Sequence, residues 1–287
     1  MSTERAATQW QPAKYLAFER LRLRPALDLL DRVPRLPSET DAPAASKPDI
    51  RIVDLGAGVG NMASPFLQRW PQAHLSFVDS SAVMLERARA DHATLKSSSP
   101  ISYVEATFDA FQISEPVDLI FSNSALQWVG AEAHEALLPK LMSFLKPGGV
   151  LAIQLPDTRA LPGCQLIVEA AKQLGWQDEV SDVRWVTCEK DTGFYYELLA
   201  DAGAETQDIW TTTYAQIMDG ENPVADFLSS TALGPYLEAL GGRGSPRGLQ
   251  LEAKYRELVT EAYAKQSDGR TIFDMTRIFL IATKPRA

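Results

Sequence analysis

Five short apolar runs alternate with amphipathic stretches through the middle of this chain. The runs are IRIVDL (50–55), HLSFVD (74–79), ISYVEA (101–106), VDLIFS (117–122) and VLAIQL (150–155), with helical stretches near 60–70, 81–91 and 132–145. Near-continuous apolar runs spaced by helices predict an α/β fold with a parallel sheet covered on both faces. KPGG (146–149) predicts a helix stop and a turn into the fifth strand. Ahead of this core, Leu16, Leu23, Leu27 and Leu30 form a helical stripe over 13–33, with Pro25 set to kink or divide it. Pro34, Pro37, Pro43 and Pro48 then punctuate a small polar stretch that predicts a flexible linker. Beyond the fifth run, helices are expected near 163–174, 192–202, 223–239 and 249–265, and strands near 204–214 and 276–283. GGRGSPRG (241–248) predicts a mobile loop. The expected layout is a helical arm (1–34), a linker (35–49) and a main domain (50–287) whose helical insertions, about 157–200 and 220–270, form a lid over the strand ends.

Composition narrows the function. The chain has 287 residues, 45% of them hydrophobic and 23% charged, enough for a sizeable core. Acids outnumber bases 37 to 28, for a net charge of −9, which argues against nucleic acid as the main ligand. Cys164 and Cys188 are too few for a disulfide framework and lack metal-ligand spacing, so they are expected as reduced core thiols. The opening MSTERAATQW has no apolar signal run, and no stretch approaches the roughly 20 apolar residues of a membrane span. The expected location is the cytoplasm, with no membrane partner and the oligomeric state left open.

The strongest chemical signal is Asp54-Leu55-Gly56-Ala57-Gly58-Val59-Gly60-Asn61, ending the first run and opening a helix. Glycines there allow positive φ and a close approach of backbone to a ligand; the plainer alternative is a tight strand-to-helix turn. The spacing is G-x-G-x-G, whereas the dinucleotide fingerprint G-x-G-x-x-G needs glycine where Asn61 stands. This favours a nucleoside lacking phosphates and puts an NAD-dependent dehydrogenase well behind. Asp79 closes the second run, where an acid can accept both ribose hydroxyls or else cap the next helix, a task Ser80 or Ser81 also fits.

An acid-led glycine loop with a second acid after the second strand resembles the class I S-adenosylmethionine-dependent methyltransferases. The resemblance implies a Rossmann-like, seven-stranded, mostly parallel sheet with a reversed last strand. It implies S-adenosyl-L-methionine as cofactor and S-adenosyl-L-homocysteine as its product; no metal is expected, because no His, Cys or acid cluster has ligand spacing. It assigns Gly56, Ala57, Gly58 and Gly60 to the methionine end, Asp54 to the cationic end directly or through water, and Asp79 to the ribose. Ser80, Met84, Thr107, Phe108 and Asn123 complete the expected cofactor set; Thr107 stands in the adenine-facing turn where an aspartate is more usual.

Further motifs are similar to the trans-aconitate methyltransferases in particular. They comprise Trp10, Pro12, Tyr15, Phe18, Arg22, Arg24, Pro25 and Ala26 in the arm, then Gln68-Arg69-Trp70-Pro71 and Asp79-Ser80-Ser81-Ala82-Val83-Met84-Leu85. DLIFSNSALQW (118–128), Leu155-Pro156-Asp157, Asp208-Ile209-Trp210, Thr212-Thr213-Tyr214 and Arg277-Ile278-Phe279 follow, so only 35–49 and 241–248 fall outside the likeness. The implied reaction is O-methylation of a small di- or tricarboxylic acid, trans-aconitate-like or another unsaturated acid, to its monomethyl ester. A carboxylate is ionised at neutral pH, so no general base is required.

The expected substrate-binding residues are Tyr15, Arg22, Arg24, Ser124, Gln127, Trp128 and Arg277. Tyr15 and Arg22 lie two turns apart on one helix face, a candidate lid edge; Arg22 and Arg24 share a face only if Pro25 disturbs the helix. Arg277, in the apolar run TRIFLIAT, is either a ligand for the acid or half of a structural ion pair, and Trp128 either walls the cavity or is plain core. His134 is expected on a helix surface. Three positions depart from the family pattern: Thr158 stands in place of an asparagine, and Thr211 and Gly234 in place of arginines. Fewer arginines imply an acid with fewer carboxylates. Two competitors remain: the same fold acting on an unrelated oxygen or nitrogen acceptor, and a non-catalytic module that keeps the cofactor pocket.

Overall fold

The computed structural model describes residues 19–40, 49–95 and 100–286. In chain order these form helices α1 (Glu19–Arg32) and α2 (Pro37–Thr40), strand β1 (Arg51–Leu55), α3 (Ala63–Arg69), β2 (His74–Asp79), α4 (Ala82–His92), β3 (Ile101–Glu105) and β4 (Val117–Asn123). A 3₁₀ turn (Leu126–Trp128), α5 (Ala131–Ser143), β5 (Leu145–Asp157), α6 (Pro162–Gln173) and α7 (Thr192–Asp201) follow. The chain continues through β6 (Thr206–Met218), α8 (Pro223–Ser229), α9 (Gly234–Ala239), α10 (Pro246–Ala262) and β7 (Thr271–Thr283). The seven strands lie in the order β3-β2-β1-β4-β5-β7-β6. Strands β1 to β5 pair in parallel, and β7 is reversed: Gly148 N donates to Lys284 O while Lys284 N donates to Gly149 O.

The chain divides into two compact units. A sheet unit comprises Leu23–Pro156, Cys188–Thr212 and 277–286; a helical unit comprises 19–22, Asp157–Thr187 and Thr213–Thr276.

In the sheet unit, strand alternation sends Val53, Leu55, Val78, Ile120, Leu151, Ile153, Leu155, Ile278 and Leu280 into one core. There they meet Leu137, Leu138, Leu141 and Met142 of α5 and Tyr195 and Leu199 of α7. The intervening positions therefore face the other way. In register they are Asp54 beside Phe77 and Phe121, and Asn123 beside Gln154, with Arg277 of opposite parity to Ile278 on β7. Phe66 of α3 packs edge-on against Phe121 on this second face (centroids 5.2 Å apart). The helical unit has its own core, built from Cys164 and Ile167 of α6, Phe227 and Leu228 of α8, Leu237 of α9, Leu251 and Tyr255 of α10, and Phe273 of β7.

Several local expectations need correction. Part of the expected 35–49 linker is ordered: Leu36 is fully buried, the Glu39 carboxylate accepts from Leu36 N (2.6 Å), and the Asp118 carboxylate accepts from Ser38 N (3.0 Å). That reach from Glu39 back to the helix start is a capping interaction, and Pro37 suits the first helical position. Residues 41–48 lie outside the described set. Pro25 does not divide α1, which runs on through Arg32 with Ala26, Leu29 and Leu30 buried. KPGG is not a turn before β5 but an irregularity within it, where the register slips between Val117–Leu145 and Leu119–Val150. The expected 223–239 helix is two helices, α8 and α9. The glycine-rich 241–248 stretch is in part helical: the Ser245 hydroxyl caps α10 by accepting from Gly248 N (2.9 Å), and Pro246 occupies the first turn. Strand β6 extends to Met218, and β7 begins already at Thr271.

Candidate active site

Strand β1 delivers a buried acid and then three glycines with left-handed φ: Gly56 (+76°), Gly58 (+57°) and Gly60 (+72°). Gly56 N and Ala57 N both donate to Val78 O (2.8 and 2.9 Å), which ties the loop to the end of β2. At Gly56 the need for glycine is packing, since a Cβ there would collide with the Cβ of Ala125. At Gly58 it is conformation and space, since a Cβ would point where no atom lies within 4 Å. Asp79 spans the gap between the loop and α4: its Oδ2 accepts from Gly58 N (2.8 Å) and its Oδ1 from Ser81 N (2.9 Å). Ser81, not Asp79, is the N-cap of α4, its hydroxyl accepting from Met84 N (3.4 Å). Asp54 sits beneath this arrangement, 5% exposed. Burial, assisted by the negative charge of Asp79, pushes its carboxyl up to about 8, so the acid is neutral at pH 7 in the absence of a cation.

Along the same sheet face, the ends of β4 and β5 carry an amide pair. Asn123 and Gln154 are register neighbours. Ser124, which follows, is the one non-glycine among the described residues with positive φ (52°). Its strained backbone is held on every side. Ser124 N donates to Gln154 O (3.0 Å), Gln127 Nε2 donates to Ser124 O (2.7 Å), Ser124 Oγ donates to Gln154 Oε1 (2.8 Å), and Arg277 Nη1 donates to Ser124 Oγ (3.0 Å). Gln154 is fully buried and Arg277 is 3% exposed. Asn123 Oδ1 and Gln154 Nε2 are both buried without a partner among the described residues. Each such atom costs about 1–3 kcal/mol, and strained, over-determined backbone of this kind gathers at ligand sites.

Sequence reasoning missed Gln154, whose signal was a lone amide inside the apolar run VLAIQL, and misread His134. That histidine is buried, not on a helix surface: its Nε2 bonds Leu126 O (2.9 Å) and its Nδ1 bonds Tyr195 OH (3.0 Å). A carbonyl only accepts, so Nε2 carries a proton and donates it to Leu126 O. His134 thereby fastens the 3₁₀ turn that carries Gln127 and the half-buried Trp128.

The remaining expected residues scatter. Met84 is buried and Phe108 half-buried near Gly56, while Ser80 and Thr107 are exposed. The Thr107 hydroxyl bonds the Asp109 carboxylate and helps hold it below the usual range. Arg22 lies within the helical unit, its Nη2 donating to Ser230 Oγ (2.8 Å) and its guanidinium 4.7 Å from the centre of the Phe227 ring. Arg24, two positions on, is exposed, so the regular helix does separate the pair. Tyr15 lies outside the described residues. Thr158 is buried and engaged, its Oγ1 accepting from Trp185 Nε1 (3.0 Å). Thr211 is exposed, and Gly234 opens α9. Cys164 and Cys188 are both buried, in keeping with core thiols. Among the described residues there is no group of His, Cys, Asp and Glu suited to a metal, and no helix long and apolar enough to cross a membrane.

Comparison with known proteins accords with this geometry. Residues 52–149 match the family model described as a methyltransferase domain. The solved structures it resembles include a mycolic acid cyclopropane synthase (TM-score 0.54, 13% identity, covering 98% of this chain and 91% of that one). Another is phosphoethanolamine N-methyltransferase 2 of Haemonchus contortus (TM-score 0.51, 15% identity, covering 91% and 52%). At such identities the likeness concerns the fold, that of the class I methyltransferases. Sequence relatives are nearer. The trans-aconitate 2-methyltransferase of Azoarcus sp. (strain BH72) is 37% identical over 275 residues, 96% of this chain and 99% of that protein. That of Streptomyces avermitilis is 36% identical over 280 residues, 97% and 98%. With a fold, a loop and a near full-length likeness in agreement, the chain belongs to the trans-aconitate 2-methyltransferase family.

Proposed function

We propose that this protein is an S-adenosylmethionine-dependent O-methyltransferase that forms the monomethyl ester of a small di- or tricarboxylic acid. The observation that carries the reading is the pairing of the Asp54–Gly60 loop and Asp79 with near full-length likeness to the trans-aconitate 2-methyltransferases.

The residues present fit the cofactor. The space above Gly58 admits a ligand against bare backbone, and Asp79 keeps a free lone pair on each oxygen after its two backbone bonds. Asp54 and Asn123 Oδ1 supply an acid and an unpartnered acceptor for a cationic end. In this reading Gly56, Ala57, Gly58 and Gly60 line the methionine portion, Asp79 with Ser80 and Met84 holds the ribose, and Thr107 and Phe108 border the base. When bound, S-adenosylmethionine supplies a methyl group on a cationic sulfur, open to displacement by an oxygen nucleophile.

The chain's own task is to bring a carboxylate in line with that methyl and keep water away. The acid is already ionised at neutral pH, so alignment takes the place of a general base. Gln127, Trp128, Ser124 and Arg277 are assigned to the acid's side of the site, with Arg277 supplying positive charge from behind Ser124 rather than in a direct ion pair. Thr158 is occupied with Trp185, and Thr211 and Gly234 bring no charge, which favours an acid with fewer carboxylates than trans-aconitate.

The test incubates the purified protein and S-adenosylmethionine with trans-aconitate, unsaturated dicarboxylic acids and aromatic acids. It follows S-adenosylhomocysteine release together with a base-labile product heavier by one CH₂. Turnover of a dicarboxylate in preference to trans-aconitate supports the full reading; the reverse preference removes the argument from the missing arginines. Cofactor binding with no turnover of any acid overturns the reading.

A further inference from the structure

Gln154 stands apart from the residues assigned so far. Strand β5 sends Leu151, Ile153 and Leu155 into the sheet unit's core, so Gln154 faces the opposite side, that of Asp54 and Asn123. The hydrogen bonds around it settle which end of its amide faces which neighbour. A guanidinium only donates, so Ser124 Oγ must accept from Arg277 and has its own proton to give; Gln154 Oε1 takes it at 2.8 Å. The reverse amide orientation would leave the Ser124 proton without an acceptor. The NH₂ end is thereby turned away from Ser124, buried and with no partner among the described residues. Its register neighbour Asn123 presents an unpartnered acceptor, and the two amides do not bond to each other. A donor and an acceptor side by side at two strand ends match an anion beside a cation.

We propose that Gln154 is a substrate-contacting residue, its Nε2 donating to the reacting carboxylate, with Ser124 and Arg277 as the positioning residues that aim it. This rests on the methyl-transfer reading above. Nε2 can only donate, so it suits a carboxylate and not the sulfonium or ammonium of the cofactor; the cofactor's own carboxylate is the competing acceptor, and the cofactor Kd separates the two. The choice of a neutral donor follows from the chemistry. A carboxylate oxygen forms a bond to the methyl carbon as the carbon–sulfur bond breaks, and opposite charges cancel to give an ester and a thioether. An interaction strongest with the full negative charge stabilises the bound acid more than the transition state and slows the step. An amide in contact, with the guanidinium one hydroxyl removed, orients the oxygen while stabilising its charge less than a direct ion pair.

The experiment compares the wild type with Gln154→Leu, Gln154→Glu and Ser124→Ala, each checked by thermal melting and by calorimetric binding of S-adenosylmethionine. Acid binding is measured separately on protein saturated with S-adenosylhomocysteine, using the best acid of the panel. Gln154→Leu is expected to lose tenfold or more in kcat/KM for the acid while its cofactor Kd stays within about twofold of wild type. Gln154→Glu, which sets a like charge against the carboxylate, is expected to lose more and to regain activity as pH falls. Ser124→Ala, which frees the amide to swing, is expected to lower kcat more than it raises KM. The proposal is overturned if Gln154→Leu keeps acid binding and turnover within about twofold. It is equally overturned if the loss lies in cofactor Kd, or if both Gln154 variants fail to fold while Ser124→Ala behaves as wild type. A wild-type protein that binds and methylates no acid overturns the function and this proposal together. Acid turnover that is indifferent to residue 154 overturns this proposal alone.

Discussion

Asp54 offers a prediction that can be worked through in numbers. With its carboxyl near 8, about ten molecules in eleven carry the proton at pH 7. Bringing a cationic cofactor against this buried acid favours the ionised form, so binding should expel that proton. The expected release is about 0.9 proton per cofactor bound at pH 7, falling to about 0.1 at pH 9, where the empty site is already ionised. Calorimetric titration at pH 7 in phosphate and in Tris measures it directly, because the apparent binding enthalpies differ by the protons released times the difference in buffer ionisation enthalpies. The cofactor's own α-amino group titrates in the same window, so Asp54→Asn is the control that isolates the side chain. The same shift has a sign in stability. The native state holds a proton that the unfolded chain has lost above pH 3.8, so this contribution is fully present below about pH 4, declines as pH rises, and is gone above about pH 8. At about 1.4 kcal/mol per pKa unit the decline is on the order of 6 kcal/mol, and Asp54→Asn should remove most of it. Equal proton release by wild type and Asp54→Asn, or none by the wild type at pH 7, would refute the reasoning.

Three further substitutions separate packing from function. Gly56→Ala should lower the melting temperature sharply, because its methyl collides with Ala125. Gly58→Ala meets open space, so it should cost only about 1–2 kcal/mol of left-handed strain yet weaken cofactor binding tenfold or more; equal melting losses in the two variants would contradict this. His134→Leu leaves Leu126 O without its donor and should cost about 1–3 kcal/mol, raising KM for the acid while cofactor affinity holds, and an unchanged KM would count against a positioning role. In the helical unit, neither end of the Gln216 amide has a partner among the described residues, although the residue is 5% exposed. Gln216→Met should therefore gain about 1–3 kcal/mol in denaturant unfolding, and a loss of stability would show that the amide is satisfied.

How far the chain could be read in advance varied with the kind of signal. Strands β1, β2 and β4 were legible nearly to the residue, because strands buried on both faces are unbroken apolar runs ended by Asp54-Leu55-Gly56, Asp79 and Asn123. The glycine loop was legible as a loop, but not the protonation of Asp54, which depends on burial that no local pattern records. Proline and glycine misled where tertiary contacts overrode them. Leu36 and Glu39 ordered a stretch that composition marked as a linker, and Gly148, at φ +74°, entered the irregular segment of β5. His134 could have been placed inside, since it precedes Leu137, Leu138 and Leu141 by three, four and seven positions along one buried stripe of α5. Gln154 needed the register with Asn123, which is a long-range fact.

The partition of the chain has a consequence for how the protein is made. The polypeptide passes between its two units five times, at 22/23, 156/157, 187/188, 212/213 and 276/277, so neither unit is a continuous stretch that a gene fragment could encode. Strand β7 is shared by both and lies between β5 and β6, and it is the last of the seven strands to be synthesised. A nascent chain therefore cannot complete either unit until 271–283 has left the ribosome. Until then β5 and β6 wait with exposed edges, a long-range closure that slows folding and lengthens the time spent open to aggregation. A premature stop just before Thr271 would therefore leave two incomplete cores rather than one domain missing its tail.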